Sequence, residues 1–189
     1  MLIIISGSAG VGKNTVISKL LKKHNDIKMF KTCTTRQPRS TDADMNNPYI
    51  YLTKEEFEKK IINNELFEFE EIHQNFYGTL KSSLDEISKC QNHYIKDIGV
   101  LGQESIKRAL KNKAVVLSIF LTAPKDVLIE RLKARGDKDI ELRMSRMEFE
   151  NSFKSNYDVV IENINLDKTI EEVEKYIEMF KLKEVQQKK

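Results

Sequence analysis

The stretch that most constrains this chain is Gly7-Ser8-Ala9-Gly10-Val11-Gly12-Lys13-Asn14-Thr15, which follows directly on the apolar run Leu2-Ile3-Ile4-Ile5. A buried strand that gives way to a glycine-rich bend and then to a helix-forming run predicts a sharp strand-to-helix turn. In such a turn successive backbone N–H groups can curl around an oxyanion, and the following helix adds its positive end. Lys13 then reaches the outer phosphates. The plainer alternative is a glycine-rich turn with a solvated lysine, and the placement between strand and helix argues against it. Asn14 stands where such loops carry a Ser or Thr that touches magnesium. Its larger amide replaces a hydroxyl, so the ion is expected to lean on nucleotide phosphates and water. Thr15, turned by about 100° from its neighbour on a helix, is expected to face an inner phosphate.

Short β-rich runs alternate with helix-length segments. Strands are expected at Leu2 to Ser6, Ile27 to Thr32, Tyr94 to Ile98, Val115 to Leu121 and Asp158 to Ile161. Helices are expected at Lys13 to Lys23, Leu101 to Leu110, Pro124 to Ala134, Ile140 to Lys154 and Leu166 to Phe180, the last capped by Asn165. The alternation implies an α/β fold with a parallel sheet and helices on both faces. At 189 residues the chain has the length of one domain. The expected division is a core at 1–33 and 84–189, an inserted lobe of mixed strand and helix at about 34–83, and a polar tail from Lys181 to Lys189. The lobe contains a strand-like Tyr49 to Leu52, a helix opened by the capping box Thr53-Lys54-Glu55-Glu56, and a strand-like Leu66 to Ile72.

Lys and Arg number 32 against 29 Asp and Glu, and the basic residues are spread along helices, which speaks against a nucleic-acid footprint. Cys33 and Cys90 have neither metal-ligand spacing nor a disulfide framework, and no membrane-length apolar run or signal segment occurs. A reducing cytoplasmic setting with no membrane partner is the expectation. His24, His73 and His93 lack catalytic partners in the pattern and read as surface or structural residues.

Within the lobe, Thr34-Thr35-Arg36-Gln37-Pro38-Arg39 presents two arginines around a proline, a stiff double fork suited to phosphate oxygens. Solvated loop arginines would be the commoner meaning if the segment stood alone. It is followed by Tyr49, by Glu68 and by Asn75-Phe76-Tyr77-Gly78-Thr79. A carboxylate can accept together from the adjacent N1–H and N2–H of guanine, a pair that adenine does not offer. Glu68 has its own bland reading as part of an acidic face with Glu65, Glu70 and Glu71.

In this order and spacing the chain resembles the guanylate kinase family of nucleoside monophosphate kinases, within the P-loop NTPases. The resemblance runs from Leu2 to about Phe180 and rests on the loop, on TTRQPR, Tyr49-Ile50-Tyr51, Phe67-Glu68-Phe69, Tyr77-Gly78-Thr79, Lys96-Asp97-Ile98, Arg131 to Gly136, Arg146-Met147 and Val160-Ile161-Glu162-Asn163. It implies transfer of the γ-phosphoryl group of ATP to GMP, and to dGMP as well, with Mg2+ as cofactor. By the resemblance Gly7, Ser8, Ala9, Gly10, Val11, Gly12, Lys13, Asn14 and Thr15 hold ATP phosphates, and Asn163 sits beside the adenine. Arg36, Arg39, Tyr49 and Tyr77 match the positions that bind the monophosphate. Thr32, Glu68 and Thr79, with Gly78 beside them, match the guanine-reading ones. Lys13, Arg36, Arg131, Arg135 and Arg146 would carry catalysis, the last three from a lid at about 131–146. Asp97 would serve the GMP side and the metal through water, and Asn14 would be the weaker metal ligand. A homodimer is compatible with this reading.

The chain departs from the family at Asn14, at Gly99, where a second acidic residue is often found, and between Ser40 and Pro48, where the loop is one residue longer and lacks the family's glycine. Those departures keep a second hypothesis in view, a catalytically impaired guanylate-kinase-like binding module. Intact glycines and Lys13 argue against it. A sugar-phosphate kinase is a third reading, which TTRQPR and Tyr77-Gly78-Thr79 disfavour.

Overall fold

A computed structural model of the chain describes residues 1–39, 42–43, 47–72, 74–89 and 92–187, leaving aside the side chains of Ser88 and Gln187. His73, Cys90 and part of the loop after Arg39 lie outside the described residues. In chain order the elements are β1 (Leu2–Gly7), α1 (Lys13–Lys23), β2 (Ile27–Met29), β3 (Thr32–Thr34), β4 (Tyr49–Tyr51), α2 (Lys54–Ile62), β5 (Leu66–Ile72), β6 (Asn75–Leu80), α3 (Lys81–Lys89), β7 (His93–Asp97), α4 (Val100–Ala109), β8 (Val116–Thr122), α5 (Lys125–Ala134), α6 (Ile140–Asn151), β9 (Val159–Glu162) and α7 (Leu166–Gln187).

Every residue of β1 is buried, which follows from its place at the centre of a five-stranded sheet of order β2-β7-β1-β8-β9. All its pairings are parallel. Side chains alternate across a strand, so Ile3 and Ile5 face one way and join Val16, Ile17 and Leu20 of α1, Leu128 and Leu132 of α5, and Val173 and Ile177 of α7 in one core. Leu2 and Ile4 face the other way and pack with Leu84 and Ile87 of α3 and Ile106 of α4. The α/β class with helices on both faces is thus borne out. Because β1 is flanked by β7 and β8, the loop after it opens at the switch point of the sheet, where open α/β sheets bind ligands beyond their carboxyl ends.

The second sheet has the order β4-β3-β6-β5. It owns a small core in which Cys33, Phe57 of α2 and Leu66 are buried against Ile50, Leu52, Ile61 and Phe76. The Thr53 capping box forms as expected: its hydroxyl accepts from the Glu56 amide, and the Glu56 carboxylate accepts from the Thr53 amide. Cys33 is a free thiol whose pKa burial raises to about 11, so it is chemically quiet.

Several expected boundaries are corrected. The run Ile27 to Thr32 is two strands, because the Phe30 amide still donates to Ile95 while Thr32 already donates to Pro48. The chain changes sheets at Lys31, with no Gly or Pro to mark it. Helix α3 was not foreseen, since its apolar positions Leu84 and Ile87 are few and find their partners only on the far sheet face. Helix α6 stops at Asn151 rather than Lys154 and is followed by a 3-10 turn at Lys154–Asn156. Helix α7 continues through the expected tail to Gln187. Its last turns are tied down, Lys181 to Asp26 at 2.8 Å and Glu184 to the buried amino group of Met1 at 3.1 Å. At the other end the Asn165 side chain accepts from the Lys168 amide, as a cap should.

Candidate functional site

The loop between β1 and α1 is shaped by glycines that no other residue could replace at two points. Gly12, at φ 94°, is the N-cap of α1, and a Cβ there would lie 2.7 Å from the amide nitrogen of Asn163. Gly7, at φ 138°, would place a Cβ 2.3 Å from the Leu121 carbonyl. Among the described residues no side chain caps α1, so its first-turn amides are open, the arrangement in which a helix end receives an anion. Lys13 folds back so that its ammonium donates to the carbonyl of Gly7 and, at 3.1 Å, to that of Ser8. Burial presses its pKa below 10.5, against the pull of Glu150 and Asp97. The Glu150 carboxyl is shifted the other way, raised by burial and opposed by Lys13 and Ser8.

Across from this loop the second sheet aligns a row of polar side chains. Register pairs Thr32 with Tyr49, Cys33 with Gly78, and Glu68 with Thr79. Thr32, Thr79 and Glu68 therefore stand on adjacent strands. Burial raises the Glu68 carboxyl, Glu70 adds to the rise, and hydrogen bonds from Thr79 oppose it. The Tyr49 hydroxyl donates to Asp97 at 3.4 Å, and its ring meets that of Tyr77 edge-on at 5.8 Å. The hydroxyls of Thr34 and Thr35 are clamped to the backbone of Phe76, which sets where the chain leaves the sheet toward Arg36.

Arg36 is held by a residue that sequence reading did not single out. Its Nη2 donates to both carboxylate oxygens of Asp42, at 3.1 and 2.9 Å. Asp42, 2% exposed, also accepts from the Tyr51 hydroxyl at 2.6 Å and the Arg39 amide at 2.7 Å. Burial by itself would push the Asp42 carboxyl up, but those donors outweigh it and hold it below 3.8.

Loop and lobe face one cleft of about 700 Å³. All the residues expected at the site line it except Ser8 and Val11, which are buried behind the loop at 3% and 0% exposure. Seven arginines and lysines line it against four carboxylates, Glu68, Glu70, Asp97 and Glu150, so the cleft favours anions. Arg131 donates to the Asn163 carbonyl at 2.9 Å, Arg135 pairs with Asp137, and Arg146 binds Glu70 of β5 at 2.7 Å. That last pair joins the lobe to helix α6. Arg143, which was not foreseen, lines the cleft too. Its Nε, like Nη1 of Arg131, is buried without a hydrogen-bond partner among the described residues, the state expected of a guanidinium built for incoming oxygens.

Asn163, which the resemblance sets beside the adenine, lines the cleft and is also hydrogen-bonded within the protein. Its amide nitrogen donates to the Val11 carbonyl at 2.8 Å, and its oxygen accepts from the Thr169 hydroxyl at 3.0 Å. The side chain is occupied in bracing the loop from beneath. His24 pairs with Glu174 at 2.7 Å, and His93 lies near Asp26 and Glu184; neither lines the cleft.

Among the described residues no group of three or more His, Cys, Asp or Glu is placed to hold a metal ion. Asn14 and Asp97 both line the cleft; Oδ2 of Asp97 accepts from Tyr49, and Oδ1 lies in an ion pair with Lys96 at 3.0 Å but has no hydrogen-bond partner among the described residues. One amide and one such carboxylate are too few for a resident octahedral ion. They fit magnesium that arrives with its waters on nucleotide phosphates. No helix among the described residues is long and apolar enough to cross a membrane.

Residues 1–180 match the family model described as guanylate kinase. The chain is 36% identical over 182 residues to the guanylate kinase of Mycoplasmoides gallisepticum, covering 94% of this chain and 91% of that protein. It is 36% identical over 180 residues to the guanylate kinase of Prochlorococcus marinus, covering 93% and 96%. Its fold is similar to the crystal structure of guanylate kinase from Anaplasma phagocytophilum, with a TM-score of 0.71 and 25% identity over 95% of this chain and 84% of that one. Shikimate kinase from Bacteroides thetaiotaomicron, at a TM-score of 0.51 and 14% identity over 94% and 98% of the two chains, shares the fold alone.

Proposed function

Because this chain belongs to the guanylate kinase family and moves the γ-phosphoryl group of ATP to GMP, we propose that its cleft divides the work between two nucleotides as follows. The loop amides and Lys13 hold the ATP phosphates. Lys13 leaves the carbonyls of Gly7 and Ser8 when a polyanion offers its ammonium a better partner, and that exchange favours its charged form. Arg36, Arg39, Tyr49 and Tyr77 take the phosphate of GMP. Glu68 accepts from guanine N1–H and N2–H, with Thr79 and Thr32 completing the reading. Arg131, Arg135, Arg143 and Arg146 lie over the transferring group.

The attacking atom is a phosphate oxygen already ionised near neutral pH, so no general base is needed. In-line placement and neutralisation of charge on the equatorial oxygens carry the reaction. Magnesium arriving with ATP, held near Asn14 and Asp97, would supply further neutralisation of that charge. Water must be kept out to spare ATP, and the Arg146–Glu70 pair supports a closing motion that brings lobe and lid together. None of the residues assigned to guanine addresses the ribose 2′-OH, so dGMP is a substrate as well.

The observation that carries this reading is the placement of Glu68, half-buried and set opposite Thr79, across one cleft from the phosphate loop. The test is ADP formation from ATP and magnesium with GMP, dGMP, AMP, CMP and UMP supplied separately. Turnover confined to the guanine nucleotides is expected. Comparable turnover with AMP would remove Glu68 from base recognition.

A further inference from the structure

Lys96 is a buried basic residue that the reaction as described does not use. It lies on β7 opposite Ile4 of β1, with 1% of its surface exposed. An ammonium so enclosed loses its water and must find other acceptors. It has three. The Pro48 carbonyl lies at 3.2 Å, Oδ1 of Asp97 at 3.0 Å, and the face of Tyr49 at 3.6 Å from the ring centre. Packing alone does not ask for this charge, because an unbranched apolar side chain of similar length fills such a space, often with no loss of stability.

The acceptors share a location. Pro48 leads into β4 and also accepts from the Thr32 amide. Tyr49 follows it, with the Arg36 guanidinium 5.2 Å from the same ring. Asp97 receives the Tyr49 hydroxyl on the oxygen that Lys96 leaves open. A phosphate dianion arriving beside Arg36 would offer Tyr49 a stronger acceptor, and at that moment it would also repel the Asp97 carboxylate. A cation fixed behind both groups offsets the repulsion and keeps the carboxylate in place.

We propose that Lys96 is a positioning residue of the monophosphate site, holding Pro48, the Tyr49 ring and the Asp97 carboxylate in one frame so that Tyr49 can turn from Asp97 to the phosphate of GMP. This rests on the assignment of Tyr49 and Asp97 to the GMP half of the cleft. Lys96 itself touches neither nucleotide.

The experiment measures KM for GMP, KM for ATP, kcat and the unfolding midpoint for Lys96→Met and Lys96→Gln, each alone and combined with Tyr49→Phe. Both single variants are expected to fold, to raise KM for GMP by about 10- to 100-fold, and to leave KM for ATP within about twofold. In the Lys96→Met background, Tyr49→Phe should add much less to KM for GMP than it does in the natural chain, because the two act on the same contact. If the Met variant does not fold, the Gln variant decides, since its amide can still donate toward Pro48. The proposal is overturned by an unchanged KM for GMP, by equal rises in both KM values, by full additivity with Tyr49→Phe, or by failure of both variants to fold, which would assign Lys96 to the fold. Tyr49→Phe with an unchanged KM for GMP would instead strike at the assignment of the half-site. A normal KM in the Lys96 variants beside a raised one in Tyr49→Phe would strike at Lys96 alone.

Discussion

Replacing Asn163 with Ala separates a brace from a base reader. In the natural chain its amide nitrogen is the donor to the carbonyl of Val11, a residue with 0% exposure, at 2.8 Å. Truncation leaves that carbonyl buried without a donor, which costs about 1–3 kcal/mol. The bond from Thr169 is lost as well, but the Thr169 hydroxyl also donates to the Asn165 carbonyl at 2.9 Å, so it is not orphaned and the loss is about 1 kcal/mol or less. The sum is about 1–4 kcal/mol, and for a chain of this size each kcal/mol lowers the midpoint of thermal unfolding by about 2–4 °C. A fall of about 2–16 °C is expected for the variant without nucleotide, with ATP binding weakened as the loop loosens. The assay is thermal unfolding followed by circular dichroism, with urea unfolding as a second measure. A midpoint within about 2 °C of the natural chain, with only KM for ATP changed, would refute the brace and restore the adenine contact.

The other predictions concern the charges of the cleft. Glu68 must be ionised to accept from guanine, and burial raises its carboxyl above 4.5. KM for GMP should therefore rise as pH falls, beginning at a higher pH than an exposed glutamate would give. Glu68→Gln should abolish that inflection and leave only the one from the substrate phosphate, near pKa ~6; an identical pH profile in the variant would end the assignment. Asp42→Ala frees the guanidinium of Arg36 from its two-point hold, and a loss of about 1–2 kcal/mol, or ~5- to 30-fold in KM for GMP, is expected. An unchanged KM would show that Arg36 needs no such support. Lys13→Ala should lower kcat by about 100- to 1000-fold or more without lowering the unfolding midpoint, since burial already disfavours the Lys13 charge. Near-normal turnover would remove the loop from the mechanism.

Much of the site was legible because its chemistry is local. Three glycines and a lysine behind an apolar strand can be recognised wherever they occur, and Arg36, Arg39, Glu68 and Tyr77 lie in short runs whose order carries the family resemblance. What escaped reading is long-range. Asp42 is one acid in a polar loop, and only its 2.6–3.1 Å contacts with Tyr51, Arg39 and Arg36 set it apart. Arg143-Met144 and Arg146-Met147 repeat the same pair of letters one helical turn apart. Sequence reading took the second, whereas both arginines line the cleft because residues three apart share a helix face. Glu150, one more turn along, joins them for the same reason.

By itself the sequence determined the elements whose signal is periodic or punctuated. These are the buried strand and phosphate loop, the helix Lys13–Lys23, the capping box at Thr53 and the strand Leu66–Ile72, since hydrophobic period, glycine and caps act within a few residues. Only the tertiary structure decided where the chain changes sheets after Phe30, how far α7 runs, and which polar side chains share an acceptor. Hydrogen bonds and ion pairs between residues far apart in the chain carry no local pattern. The assignments of Asn163 to the Val11 carbonyl, of Arg146 to Glu70 and of Lys96 to Tyr49 and Asp97 exist only once packing has brought those groups within about 3–4 Å of one another.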